Sequence, residues 1–177
     1  MPDITTRRPA STARDYANDL GATVNRLADR LARLDDEAIM RRPAPGKWSI
    51  KEIIGHLVDS ASNNHQRFLR ARWQDDLVFL PYDQDRWVAA QDYQSAPWPE
   101  LLELWRTFNL HIARVMAATP RELREREHRR HNLDRLAFHT VGANEPATLE
   151  YFMRDYVEHL HHHVAQIEAL LQDAGRR

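Results

Sequence analysis

Apolar residues recur every three or four positions in four stretches of this chain, which is the period of an α-helix with one buried face. In the first stretch the other faces carry Asp and Arg, and the apolar positions are Tyr16, Leu20, Val24, Leu27, Leu31 and Leu34. This pattern predicts a first helix from Thr12 to about residues 35–36. We find no credible strand pattern anywhere in the sequence.

The second helix has a clear start signal. A loop containing Pro and Gly at residues 42–48 leads to Ser49 and Glu52, which have the spacing of a capping box with Ser49 as the N-cap. The helix is predicted to run from Ile50 to about Trp73. Its inward face includes a histidine, and the stripe consists of Ile53, His56, Leu57, Ser60, Asn64 and Phe68.

Two further helices complete the set. The third opens at residues 97–100 and ends before Pro120. The fourth follows Thr148 as its N-cap and is predicted to end at Gly175. One face of the fourth helix carries Phe152, Tyr156, His159, His163, Ile167 and Leu170 or Leu171.

Long segments separate the last three helices. Residues 74–96 are predicted to hold one short helix near residues 85–91, and residues 121–147 show no period. The sequence therefore predicts an all-α fold, an up-and-down style four-helix bundle with long crossover connections. We expect one domain at residues 12–174 and a flexible N-terminus at residues 1–11.

Composition removes several classes of function. The 177 residues include 25 Lys and Arg against 26 Asp and Glu, so the net charge of -1 gives no reason to expect a nucleic-acid partner. With 0 Cys there is no disulfide, thiolate metal site or Cys nucleophile. No run approaches the ~18 apolar residues of a membrane span, and the first ten residues lack the apolar stretch of a signal peptide. We therefore expect a cytoplasmic protein without a membrane partner.

The 10 histidines are the sharpest chemical feature. His159 and His163 are four residues apart on the predicted fourth helix, so the two imidazoles lie one above the other and can converge on one metal ion. His56 lies on the inward stripe of the second helix and is the best-placed third ligand. A site of three imidazoles leaves positions open for water or substrate, as in catalytic metal centres. The competing interpretation is a metal-free bundle whose histidines are hydrogen-bonded core residues.

Two carboxylates lie one helical turn from these histidines. Asp59 follows His56, and Asp155 precedes His159. Either carboxylate is a candidate for orienting a ligating imidazole or for acting as a base. Surface ion pairs explain both positions equally well.

Two motifs resemble those of the DinB/YfiT-like superfamily. Residues 45–59, PGKWSIKEIIGHLVD, resemble its second-helix signature, in which a Trp-Ser turn precedes the first metal-binding His. Residues 156–167, YVEHLHHHVAQI, resemble its fourth-helix signature, in which two His four residues apart precede Gln-Ile. Residues 59–68 also fit the family style, and the order of the motifs agrees over residues 16–171.

The resemblance implies a four-helix bundle that holds a divalent metal, commonly zinc or nickel, at His56, His159 and His163. Members of the superfamily are often homodimers. Those with known chemistry resemble transferases that use a low-molecular-weight thiol such as bacillithiol or mycothiol, or thiol-dependent isomerases.

These observations lead to one main hypothesis and two alternatives. The main hypothesis is thiol S-transfer to a small-molecule substrate, with the metal activating a low-molecular-weight thiol as cosubstrate. Candidate pocket residues are Asn63, Asn64, Arg67 and Tyr156. The first alternative is a metal-dependent hydrolase that uses metal-bound water, with Asp59 or Asp155 as base. The second is a non-catalytic metal-binding or stress-response module.

Overall fold

A computed structural model of the chain describes residues 13–174, and the bundle is formed by four long helices. These helices are α1 (Ala13–Leu31), α3 (Ile50–Arg70), α5 (Trp98–Ala118) and α8 (Leu149–Ala174). The predicted all-α four-helix fold is thereby confirmed. The flexible N-terminus predicted at residues 1–11 and the helix end predicted at Gly175 lie outside the described residues.

Shorter elements occupy the connections between the long helices. Between α1 and α3 lies α2 (Asp36–Met40). The first crossover segment, residues 71–97, contains α4 (Gln84–Gln91) and a 3-10 turn (Tyr93–Ser95). The second crossover segment, residues 119–148, contains α6 (Arg121–Glu125), β1 (Glu127–His128), α7 (Leu133–Leu136) and β2 (Ala147–Thr148).

The helices begin where the capping residues predict. At the start of α3 the Ser49 hydroxyl accepts the Glu52 N–H at 3.2 Å, while the Glu52 carboxylate accepts the Ser49 N–H at 2.9 Å. Arg42 donates to the same carboxylate. The Thr148 hydroxyl accepts the Tyr151 N–H at 3.0 Å at the start of α8. Side chains thus satisfy N–H groups that have no partner within the first helical turn.

The four long helices form a ring in the order α1, α5, α3, α8. α1 packs against α5 and α8, and α3 packs against the same two helices. α1 and α3 therefore lie at opposite corners, although they follow one another in the chain. This differs from a simple up-and-down bundle, in which successive helices are neighbours. The inward stripes meet in a core whose largest fully buried side chains include Leu20, Leu31, Ile54, Phe68, Trp105 and Ile112.

The two crossover segments pack against each other. The Leu77 N–H donates to the Arg130 carbonyl at 3.0 Å, and the Asn132 N–H donates to the Leu77 carbonyl at 3.2 Å. The Asn132 side chain accepts the Phe79 N–H and donates to the Phe79 carbonyl. These bonds use backbone groups that no helix satisfies, and they join the two segments to each other.

Two predictions of local structure were wrong. The first helix ends at Leu31 rather than near residues 35–36, because Asp35 instead caps α2 by accepting the Ala38 N–H at 2.8 Å. The second crossover segment contains a strand pair: β1 is antiparallel to β2, with Glu127 opposite Thr148. Two residues per strand are too few to show an alternating pattern in sequence.

Gly55 allows a close approach between α3 and the 3-10 turn. A Cβ atom at this position would lie 2.1 Å from Cδ2 of Tyr93, a distance that real atoms do not tolerate. Tyr93 is buried there and donates a 2.7 Å hydrogen bond to Asp59 on the next turn of α3. The absence of a side chain at Gly55 therefore lets the first crossover segment seat on α3.

We expect Gly55→Ala to lower the free energy of unfolding by about 1–3 kcal/mol, because Tyr93 must move from its packed position. Gly21→Ala is the matched control, since its Cβ would lie 3.6 Å from Leu110 and the change improves helix propensity. The measurement is urea denaturation of both variants beside the wild type. Equal stability of the two variants would contradict this packing.

Candidate metal centre

Helices α3 and α8 bring three histidine rings to one place in the core. The Nε2 atom of His159 lies 3.3 Å from that of His56 and 3.0 Å from that of His163. Each histidine offers one ring nitrogen as a ligand, and these three nitrogens all lie within 4.8 Å of one another. Within residues 13–174 no other group of three His, Cys, Asp or Glu side chains meets this spacing.

His56 and His163 are buried and His159 is half-buried, and this controls their protonation. Burial lowers the pKa of His56 to about 3, that of His159 to about 2 and that of His163 to about 4, and repulsion between neighbouring imidazoles acts in the same direction. All three rings are therefore neutral at neutral pH. A neutral imidazole has one nitrogen with a free lone pair, which is the form that binds a metal ion.

Gln166 determines which nitrogen of His163 carries the proton. Nδ1 of His163 lies 2.8 Å from Oε1 of Gln166, and because an amide oxygen only accepts, the ring donates from Nδ1. Nε2 of His163 consequently has a free lone pair directed at the other two rings. The amide nitrogen of Gln166 lies 3.1 Å from Nε2 of His162, which agrees with this orientation of the amide.

The histidines line a cavity of about 480 Å³ between the bundle and the crossover segments. Trp48 packs its ring against His56, with centroids 4.9 Å apart, and Phe138 lies 5.6 Å from His159 by the same measure. Pro81 and Tyr82 from the first crossover segment also line the cavity. Both crossover segments thus wall a space that is large enough for a small molecule.

Asp59 is not part of the cavity wall. It is buried, and its carboxylate accepts hydrogen bonds from the Tyr93 hydroxyl at 2.7 Å and from the Gln91 amide. Burial raises its pKa, which these two donors partly offset. The structure therefore places Asp59 as the attachment point of the first crossover segment on α3.

Asp155 is the one carboxylate of residues 13–174 in the cavity wall. Its two oxygens accept the backbone N–H groups of Phe138 and His139, each at 2.7 Å. The side chain is buried, and burial raises its pKa while these backbone donors act in the opposite direction. Asp155 thus holds the Phe138 end of the second crossover segment against α8.

The other candidate pocket residues are distributed unevenly. Asn63 lies outside the cavity wall and donates to the Asp59 carbonyl at 2.9 Å. Asn64, Arg67 and Tyr156 all line the cavity. The Tyr156 hydroxyl, however, donates to Oδ1 of Asn109 on α5 at 2.5 Å, so it joins two helices.

Sequence reasoning assigned no role to Gln166 or Tyr82. The spacing of Gln166, three residues after His163, places it one turn further along the same helix face and is a signal that the sequence does contain. Tyr82 lies in an aperiodic stretch, and only the path of the first crossover segment brings it to the cavity.

We expect Asp155→Ala to raise the amide hydrogen-exchange rates of Phe138 and His139 about tenfold or more, because both N–H groups lose a charged acceptor. Glu158→Ala, an exposed change on the same helix, is the control and should leave these rates unaltered. The measurement is exchange of backbone amides followed by NMR. Unchanged rates in Asp155→Ala would show that other contacts hold the segment.

Comparisons with known proteins agree with this fold. None of the described helices has an apolar stretch long enough to cross a bilayer. A solved structure entitled "YfiT from Bacillus subtilis is a probable metal-dependent hydrolase with an unusual four-helix bundle topology" superposes with a TM-score of 0.78 at 21% identity, over 98% of this chain and 94% of that one. The likeness supports the fold.

Two relatives have descriptions that name a metal. "Putative metal-dependent hydrolase YfiT" of Bacillus subtilis is 27% identical over 130 residues, or 73% of this chain and 67% of that protein. A "Putative metal-dependent hydrolase" of Geobacillus thermodenitrificans is 25% identical over 181 aligned positions, 98% of this chain and 94% of that protein. The family model of the DinB superfamily matches residues 19–167, and the chain belongs to that superfamily.

Proposed function

We propose that this protein is a metal-dependent hydrolase whose divalent ion is held by His56, His159 and His163. The observation that carries the proposal is the convergence of three histidine Nε2 atoms on the wall of a cavity. The descriptions of the relatives as metal-dependent hydrolases support it.

The donor set fits a divalent ion by distance. Ligand nitrogens about 2.0–2.1 Å from a tetrahedral ion lie roughly 3.3 Å from one another. The separations of 3.3 Å and 3.0 Å between the Nε2 atoms are close to that value. Three neutral ligands also leave the ion its full positive charge and an open position toward the cavity.

Hydrogen bonding alone leaves the cluster unsatisfied. Nε2 of His159 can either donate one hydrogen or accept one, and Nε2 of His163 has no hydrogen to donate. At most one of the two short contacts can therefore be a hydrogen bond. Nδ1 of His56 is buried and has no partner among the described residues. A cation accepts all three lone pairs at once, which removes the conflict between the contacts.

His56, His159 and His163 would hold the ion, which would supply a bound water of lowered pKa, toward ~7, and a Lewis acid for a carbonyl or phosphoryl oxygen. The chain supplies the surroundings for this chemistry. Gln166 holds His163 in the tautomer with a free Nε2, and the rings of Trp48 and Phe138 pack against His56 and His159. Asp155 positions Phe138 through the backbone, and we assign it this positioning role.

The thiol S-transfer hypothesis gains no support from the structure or the relatives, and the hydrolase alternative fits them better. The activity assay is therefore run both with and without a low-molecular-weight thiol. Elemental analysis compares the zinc and nickel contents of the protein. A homodimer stays a prediction, to be measured by light scattering after gel filtration.

We expect untagged wild-type protein to bind about one zinc or nickel ion per chain and His159→Ala to lose it, because two imidazoles hold the ion far less tightly than three. His161→Ala is the matched control. Its ring lies on the same helix but contacts Asp19 at 2.8 Å, outside the cluster. The measurement is elemental analysis of protein purified without a nickel column.

The same proteins then test the reaction. Hydrolysis of 4-nitrophenyl acetate above the buffer rate is expected for metal-loaded wild type and His161→Ala and is expected to be lost in His159→Ala. Addition of cysteine as a free thiol should not be required. Turnover that occurs only with the thiol would favour S-transfer, and a wild type that binds no metal would overturn the proposal.

Gln166→Leu should weaken metal binding about 10–100-fold, because the residue that fixes the His163 tautomer is lost while the three ligands remain. Gln166→Glu retains an acceptor for Nδ1 and is expected to bind the ion at least as tightly as wild type. Competition with a chromophoric chelator measures both affinities. Equal affinities of Gln166→Leu and wild type would show that Gln166 does not act through His163.

A further inference from the structure

Arg67 is a buried cation in the cavity wall with no carboxylate beside it. Arg67 is 7% exposed. Among residues 13–174 no Asp or Glu oxygen lies within 4.0 Å of its guanidinium. Burial lowers its pKa from the usual range. A buried charge in a folded protein is normally paired, because its desolvation is costly otherwise.

The present partners of Arg67 are neutral. One terminal nitrogen donates to the Leu80 carbonyl at 2.9 Å, and the other lies 3.4 Å from Oδ1 of Asn64. The Tyr82 ring lies 5.9 Å from the guanidinium carbon. These contacts attach the first crossover segment to α3 but use two of the five N–H groups of an arginine. The other N–H groups of Arg67 belong to a side chain that lines the cavity.

The arginines of the second crossover segment provide a contrast. Five of them lie within 4.0 Å of a carboxylate, and these are Arg121, Arg124, Arg126, Arg130 and Arg135. Arg135 also lines the cavity, but its side chain is 80% exposed and lies 3.4 Å from Asp134. Arg67 is buried, lacks a counter-ion and lines the cavity. No arginine of the second crossover segment has all three of these properties.

We propose that Arg67 binds a carboxylate of the substrate, so that the hydrolase acts on a small ester or amide that carries a carboxylate away from the bond to be cleaved. The inference rests on the proposed function, whose substrate class it names. The guanidinium presents two parallel N–H donors that match the two oxygens of a carboxylate.

The separation of Arg67 from the histidines sets the shape of such a substrate. His56, Ser60, Asn64 and Arg67 follow one face of α3, and the first and last Cα atoms are about 16 Å apart by helical rise. The Arg67 guanidinium lies beside Asn64, on the side of Arg67 that faces His56 along the helix. Apolar side chains such as Phe152 and Leu136 line the same cavity. The substrate therefore has an apolar spacer between its reacting bond and its carboxylate.

A carboxylate is favoured over a phosphate by the charge of the wall. Arg67 is the one buried arginine in the described wall, because Arg135 is exposed and lies beside Asp134. The Asp155 carboxylate lines the same cavity, and His56, a ligand of the proposed ion, lies three helical turns from Arg67. A phosphate monoester near neutral pH carries close to two negative charges and would leave part of that charge unpaired. One guanidinium balances one carboxylate.

The test measures binding, so that it does not depend on turnover. Calorimetry compares 3-phenylpropanoate with its neutral analogue 3-phenylpropanamide and with 2-phenylethyl phosphate, first on zinc-loaded protein and then on protein treated with a chelator. We expect the carboxylate to bind at least tenfold more tightly than the amide in both forms, and the phosphate to bind no more tightly than the carboxylate.

Arg67→Met should reduce 3-phenylpropanoate binding to the level of the amide, because methionine fills the space without the charge. Arg67→Lys keeps the charge but not the paired donors and should give an intermediate affinity. Thermal melting checks that the variants fold. If Arg67→Met does not fold, Arg67→Lys takes its place, and carboxylate binding by Arg67→Lys that equals that of the wild type would contradict the role of Arg67.

Equal binding of carboxylate and amide, or Arg67→Met that binds the carboxylate as wild type does, would overturn the inference. Tighter binding of the phosphate would overturn the choice of carboxylate. Failure of the proposed function gives a different pattern: no metal is bound, but the chelator-treated protein still prefers the carboxylate through Arg67. Metal binding and ester hydrolysis without that preference would leave the hydrolase standing and remove this inference.

Discussion

Three imidazoles packed against one another, two of them buried and one half-buried, are the constraint on which the site depends. A single imidazole in a core can be satisfied by one or two hydrogen bonds, but Nε2 of His159 faces two other Nε2 atoms and can form a hydrogen bond with only one of them. Burial keeps all three neutral, so proton uptake does not relieve the competition near neutral pH. The packing of α3 on α8 therefore creates a position whose most favourable occupant is a cation.

The other two bundle helices support this pair. α5 and α1 complete the ring of helices. On α8, one helical turn before His159, the Tyr156 hydroxyl donates a hydrogen bond to Asn109 of α5. Such a buried hydrogen bond between α8 and α5 limits the rotation of α8 that would swing its histidines away from His56. The histidines thus gain their alignment from helices that contribute no ligand.

Buried charged side chains attach the crossover segments to the bundle. Asp155 holds the second segment through two backbone amides, and Asp59 holds the first through Tyr93. Arg67 adds a bond to the Leu80 carbonyl. Both carboxylates were candidates for a base in the sequence, and the structure shows each engaged with a connecting segment. Spacing from a histidine does not distinguish these roles, since a helical turn gives proximity but not the direction of the partner.

The sequence by itself determined the four helices and the faces that they bury, because helical period and capping are local properties of ten to twenty residues. It also placed His56, His159 and His163 on inward faces, since the core must receive the apolar stripes that contain them. The ring order, with α1 and α3 at opposite corners, required the tertiary structure. The positions of the aperiodic crossover segments and the lack of a counter-ion at Arg67 also required the tertiary structure. Long-range packing decides which residues far apart in the chain become neighbours.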